Sequence, residues 1–233
     1  MKLYLYIHLF TIAYPLAQSF EWRLKYYTKW KALFPGLVLT AAFFIVWDVI
    51  FTDLGVWGFN EVYLIGFYIF GLPIEEWLFF VTVPFASVFI YECVLFFFKR
   101  NLLGNSPKYI AAALSVVLIA LSLIYSHRLY TFYTFLFTGI LLVWHSYKNF
   151  SYLGDFLIAY LLHLIPFFLV NGVLTGSWIE EPIVWYNDVE NLSIRLGTIP
   201  IEDSIYSMLL LLMNITFYEY FKNRFGLNTL QPK

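Results

Sequence analysis

Four of the fifteen acidic residues in this chain fall in two tetrapeptides, Pro73-Ile74-Glu75-Glu76 and Pro200-Ile201-Glu202-Asp203. A proline suits the first position of a helix, where its missing N–H would have no partner anyway. The acids then occupy the first turn, near free backbone N–H groups and the positive end of the helix dipole. One such turn, taken alone, reads as a solvated helix start at a membrane surface. Each pair, however, runs straight into apolar sequence: Trp77-Leu78-Phe79-Phe80 and Ser204-Ile205-Tyr206-Ser207-Met208. Successive helical residues point ~100° apart, so one carboxyl can face a helix bundle while its neighbour faces the headgroups. Ionisable residues within a membrane protein are functional candidates by default. Several carboxyls in a poorly solvated place cannot all ionise. A neutral acid beside a carboxylate is the pair needed to add one proton and remove another. Faces of Phe, Tyr and Trp around them would favour a developing cation. The expected chemistry is acid–base work on an apolar substrate, with Glu75, Glu76, Glu202 and Asp203 as catalytic residues.

Other polar positions give weaker signals, and the expected supporting set is Trp47, Asp48, Asn60, Trp77, Phe79, Asn171, Asn187 and Arg195. Asp48 and Asn171 can either hydrogen-bond across helices and hold them together or belong to the site. Arg195, five residues before Pro200, is expected near a motif carboxylate, which would help to differentiate the acids. Glu92 and Glu219 lie ~25 Å along their helices from the motifs at 1.5 Å per residue. They are expected at the inner interface, paired with Lys99, Arg100, Lys222 or Arg224. His8, His127, His145 and His163 have no metal-ligand spacing, and no metal is expected, although four clustered carboxyls could attract Mg²⁺.

The elements that position these residues are apolar blocks long enough to cross a bilayer, which takes about 20 residues each. The spans are expected at 3–20, 35–52, 74–98, 108–126, 129–147, 153–173 and 200–221. Val62 to Phe98 is too long for one span, at ~55 Å. Gly71 and Pro73 break it, leaving 62–71 as a short interfacial or re-entrant piece. Pro84 predicts a kink in the third span. Lys2 precedes the first block, whereas Arg23, Lys25, Lys29 and Lys31 follow it. That asymmetry is wrong for a signal peptide and places the N-terminus outside. Eleven of the fourteen basic residues then lie in inner loops and the tail, leaving Lys2, Arg128 and Arg195 outside. The outer loops, 53–61 and 176–198, are acidic, and both motifs fall at the outer ends of their helices.

The two tetrapeptides are separated by an offset of 127 residues, which also carries Asn60 onto Asn187, Glu61 onto Asp188 and Tyr91-Glu92 onto Tyr218-Glu219. With a four-residue shift, Asp48-x-x-x-Thr52 falls on Asn171-x-x-x-Thr175. The chain therefore reads as an internal duplication: residues 1–100 as one repeat of three spans, 101–127 as a linker span, and 128–233 as the second repeat. A single linker span makes the repeats parallel, related by a pseudo-twofold axis along the membrane normal, the interface where such proteins place their sites.

Composition agrees with a polytopic membrane protein: 61% of residues are hydrophobic and only 12% charged, against about 25% charged in soluble domains. A lone cysteine, Cys93, excludes an intramolecular disulfide and a cysteine-based metal site. A net charge of −1 gives no reason to expect nucleic acid. No glycine-rich dinucleotide or P-loop fingerprint occurs, so no cofactor is expected. A retinal protein would need a lysine in the seventh span, and Ser204 to Tyr220 contains none. A transporter would place polar residues at the midplane of broken helices, whereas these acids lie near helix ends.

The paired Pro-Ile-Glu-acid motifs in a duplicated frame resemble the two P-x-E-[ED] motifs of the membrane-embedded, non-flavin lycopene cyclases, and the resemblance covers essentially the whole chain. It implies an isomerase-type enzyme (an intramolecular lyase) of carotenoid biosynthesis, in the cell membrane, that closes one or both linear ψ-ends of lycopene to β-rings. Protonation at C2 would give a tertiary cation at C1, the neighbouring double bond would close the ring, and loss of the C6 proton would leave the β-ring double bond. No electrons are transferred overall, and no flavin is needed. The alternatives are a carotenoid-binding membrane protein without catalysis, or a hydratase in which water captures the cation. The sequence leaves open which carboxyl is acid and which is base, and whether the chain forms oligomers.

Overall fold

The computed structural model describes residues 2–98 and 102–227. Among the described residues, seven α-helices carry the architecture: α1 (Leu3–Gln18), α2 (Trp30–Asp53), α3 (Ile74–Phe97), α4 (Ser106–Ile124), α5 (Leu129–Lys148), α6 (Leu153–Leu174) and α7 (Ile201–Arg224). Among the described residues, five helical segments are long and apolar enough to cross a membrane: Tyr26–Asp53 and the helices α3, α4, α5 and α6. The protein is therefore membrane-embedded and polytopic. α1 has only 16 residues, and α7 carries charges at both ends. Pro73 and Pro200 cap α3 and α7 with non-helical backbone, placing Glu75, Glu76, Glu202 and Asp203 in the first turns.

Short β pairs, which apolar periodicity did not predict, complete the fold. β1 (Trp57–Phe59) pairs antiparallel with β4 (Val184–Tyr186), with Gly58 opposite Trp185. Residues 62–71, expected as an interfacial or re-entrant piece, fold as a 3-10 turn (Glu61–Tyr63) and a hairpin of β2 (Tyr68–Ile69) and β3 (Leu72–Pro73). Phe70 and Gly71 at its tip both have positive φ, the geometry of a two-residue hairpin turn. β5 (Arg195–Leu196) and β6 (Ile199–Pro200) form the matching hairpin before α7.

The 127-residue offset recurs in the bonding. Ile74 N–H donates to Phe67 O, and Ile201 N–H to Ile194 O, both at 2.9 Å. Asn60 Oδ1 accepts from Val62 N–H and Asn187 Oδ1 from Val189 N–H, each at 3.1 Å. Across the β1–β4 ribbon, Asn60 N–H donates to Ile183 O, and Asn187 N–H to Val56 O. At the other end of the helices Tyr91 donates to Glu219 and Tyr218 to Glu92. Each motif-bearing half thus reaches into the other by the same bonds.

Close approach between helices depends on glycine where small residues let backbones touch. A Cβ on Gly139 of α5 would lie 2.6 Å from Ile119 of α4, and one on Gly36 of α2 would lie 3.3 Å from the backbone of α7 at Tyr218. α4 packs chiefly along α5.

Glu92 and Glu219 are not simple interface pairs. Glu92 is buried and bonded to Lys29 and, at 3.0 Å, to Lys222, which also meets Glu219 at 2.9 Å. Lys29, not among the expected partners, reaches Glu92 because a 3-10 turn (Tyr26–Lys29) folds it inward at the start of α2. Of the other expected partners, Lys99 and Arg100 lie outside the described residues.

Candidate active site

The first turns of α3 and α7 sort their acids into two kinds. Glu75 Oε1 accepts from Ile65 N–H at 2.6 Å, and Glu202 Oε1 accepts from Leu192 N–H at 2.7 Å, the same bond at the 127-residue offset. Glu202 also receives Thr131 Oγ1 at 2.7 Å. These two acids tie down the loops that precede their helices. All four motif acids are buried, so no member of either pair faces the headgroups, contrary to expectation. The physical reason is the folded loop: it covers the outer side of each helix start and brings backbone donors to the first acid.

The second acid of each motif faces a cavity. Glu76 and Asp203 both line an apolar hollow of about 500 Å³, a volume typical of small-molecule sites. Tyr4 donates to Glu76 Oε2 at 2.6 Å. Asp203 is held by three donors: Tyr130 on Oδ1 at 2.5 Å, and Asn171 at 2.7 Å and Tyr186 at 2.9 Å on Oδ2. Tyr186 lies in the loop outside the helices. Burial, and then the neighbouring Asp203 carboxylate, push its phenol well above the ordinary value, so it remains a donor. Asp48, the counterpart of Asn171, also lines the cavity; its Oδ1 accepts from Trp57 Nε1 at 2.5 Å, and its Oδ2 is buried without a partner among the described residues.

The remaining wall is aromatic. Trp57, Phe59, Phe79, Tyr130, Tyr186 and Tyr206 line the hollow around the two acids. Tyr130 stacks on Tyr186 at 5.7 Å between ring centroids, and Trp57 meets Tyr130 edge-on at 5.1 Å. Such rings present negative faces to a cation.

Several expected site residues lie elsewhere. Trp47 packs behind the wall, 5.3 Å from Tyr206. Trp77 turns out to the β2–β3 hairpin, donating to Ile69 O. Asn60 and Asn187 serve the loops, Asn60 also bonding Glu181 at 2.9 Å. Arg195, expected beside a motif carboxylate, instead meets Asp188 at 2.5 Å and Thr198 O at 2.8 Å. Its place on β5, opposite Pro200, sends the side chain along the loop before α7 rather than down into the helix start. Among the described residues, no three His, Cys, Asp or Glu side chains form a metal-binding group.

Tyr4, Tyr130, Tyr186, Trp57 and Tyr206 were not among the expected site residues. Tyr4 and Tyr130 occupy matching places near the starts of α1 and α5 and bond matching acids, so aligning the two halves could have found them. Tyr186 had no such signal, because its counterpart is Phe59.

A protein-family model described as lycopene cyclase matches the chain in two segments, residues 1–94 and 127–221. No curated protein and no solved structure matches it.

Proposed function

The chain belongs to the lycopene cyclase family, with a carotenoid substrate and a role in carotenoid biosynthesis, and from that premise we propose that it closes linear ψ-ends to β-rings by proton transfer alone. One observation carries this reading: Glu76 and Asp203, matching acids of the two halves, line one apolar, aromatic-walled cavity. The two matched segments and the bonds that recur at the 127-residue offset support two repeats meeting at this site. The basic inner loops support seven spans with the N-terminus outside the cell membrane and the C-terminus inside.

Asp203 is the general acid. Protonating a carbon–carbon double bond leaves a full charge on the acid, and Tyr130, Asn171 and Tyr186 already point at the oxygens where that charge appears. Donors fixed in advance stabilise developing charge without reorganisation. A neutral carboxyl still has room for all three bonds, two on its carbonyl oxygen and one on its hydroxyl oxygen, with its proton free to face the cavity.

The proton goes to C2 of the ψ-end, and a tertiary cation forms at C1. The C5–C6 π electrons close the C1–C6 bond, moving the cation to C5. Glu76, with Asp48 near it, takes the C6 proton, and the C5–C6 double bond returns. One proton enters and one leaves, so the product is an isomer of the substrate. Glu75 and Glu202 hold the helix starts at which the reacting acids sit.

Expression in a lycopene-accumulating bacterium tests this directly. Conversion to γ- or β-carotene is expected, and isolated membranes holding preformed, unlabelled lycopene should add one deuterium per ring when incubated in D₂O, because the carboxyl proton exchanges with solvent. Unchanged lycopene with the protein present in the membrane would refute the reading. A hydrated product would support the hydratase alternative instead.

A further inference from the structure

The cavity at Glu76 and Asp203 does not end at the reacting acids. It continues between α1, α3 and α6 past Ala13 and Ala86 to Tyr14, Phe89 and Ile90. A second hollow, of about 420 Å³, shares those last three residues and extends past Cys93 to Phe97, Gln18 and Arg23. From Glu76 to Phe97 the run along α3 is ~32 Å at 1.5 Å per residue, close to the ~30 Å hydrocarbon thickness of a bilayer. A linear forty-carbon polyene is about as long.

The matching path in the other half is filled. Under the offsets that relate the halves, Val170 corresponds to Trp47, Pro166 to Phe43 and Ala86 to Met213. Trp47 lies 5.3 Å from Phe137 and 6.0 Å from Phe43, ring against ring, where the open half has only Val170 and Pro166. Among the described residues, the α1–α3–α6 side is therefore open where the matching side is packed.

We propose that the groove between α1, α3 and α6 holds the unreacted remainder of a single linear polyene. The substrate then spans the membrane, with one end at Asp203 and Glu76 and the other beside Gln18 and Arg23. Each visit closes one ring, and the second end is processed only after the molecule leaves and returns reversed. This rests on the cyclase reading above.

The test uses the whole protein in membranes with two substrates: lycopene, and an apo-lycopenal that keeps one ψ-end but is short enough to stop before Ala86, ~15 Å from Glu76 along α3. Ala86→Phe should lower kcat/KM for lycopene by roughly tenfold or more, the scale of inserting a ring into packed space. Turnover of the short substrate should be retained, and Val116→Phe on the exposed face of α4 should affect neither. A readout independent of turnover comes from Cys93: lycopene should protect it from N-ethylmaleimide in the unaltered protein, and the short substrate should not. Ala86→Phe with no selective loss on lycopene, or Cys93 labelled equally with and without lycopene, would overturn the groove. Protection of Cys93 without any cyclised product would keep the groove and sink the cyclase reading instead.

Discussion

Tyr186 donates to Asp203 Oδ2 at 2.9 Å, and the residue that matches Tyr186 in the first half is Phe59, which has no hydroxyl to offer Glu76. Both rings line the same cavity, so at this position the two acids differ in a donor rather than in an aromatic wall. Among the described residues, Asp203 has three side-chain donors and Glu76 one. In the proposed mechanism, that inequality divides the labour between acid and base.

Tyr186→Phe removes one donor and leaves the ring in place. A hydrogen bond to a charged partner contributes about 1.5–3 kcal/mol, so kcat should fall roughly tenfold to a hundredfold. KM for lycopene should move little, since the apolar wall is unchanged. Steady-state kinetics in isolated membranes would check this; an unchanged kcat would remove Tyr186 from the machinery.

Acid and base variants should fail differently. Asp203→Asn cannot supply the first proton, and lycopene should accumulate unaltered. Glu76→Gln still permits protonation and ring closure but lacks the acceptor for the C6 proton. Lycopene should then be consumed slowly and give ring isomers formed by proton loss at a neighbouring carbon, or water-capture products. Chromatography with mass detection separates these outcomes; exchanged behaviour of the two variants would reverse the assignment, and identical behaviour would abolish it.

Glu75 and Glu202 should behave as positioning residues. Glu75→Gln retains a carbonyl oxygen for Ile65 N–H and should keep most of the activity. Glu75→Ala leaves that N–H without its acceptor, which costs about 1–3 kcal/mol and loosens the loop covering the site. The contrast is measurable as activity beside thermal stability in detergent. A Glu75→Gln variant as dead as Asp203→Asn would make Glu75 a participant in proton transfer.

The helix boundaries were legible because apolar runs, Gly71, Pro73 and the charged loops mark them locally. The motif was legible because its repetition is rare. Which acid of each pair faces the cavity was not, since that depends on the loops folding over Glu75 and Glu202 and on Tyr4 and Tyr130 arriving from α1 and α5. The β1–β4 ribbon was hidden for the same reason: Trp57-Gly58-Phe59 finds its partner more than a hundred residues away, and three residues carry no periodicity. Lys29 read as a surface charge of an inner loop because nothing nearby in sequence shows the buried Glu92.

That buried cluster yields the last prediction. Lys29 and Lys222 both bond Glu92, Glu219 also meets Lys222, and Tyr91 and Tyr218 donate crosswise to the two glutamates. Two lysines and two glutamates balance in charge, so the group is stable as a whole and costly to break singly. Glu92→Gln strands Lys29, whose side chain is only 9% exposed, while Glu219 still holds Lys222. Removing one member of a buried pair costs about 3–5 kcal/mol, and the low end applies because half the cluster survives. For a chain of this size about 3 kcal/mol corresponds to a fall in Tm of roughly 6–12 °C. The cluster lies at the opposite end of the helices from Asp203, so the folded fraction should make the same product as the unaltered protein. A thermal melt in detergent, paired with pigment analysis at low temperature, would check both halves of the claim. Altered ring type without lost stability would place the cluster in the reaction rather than in the scaffold.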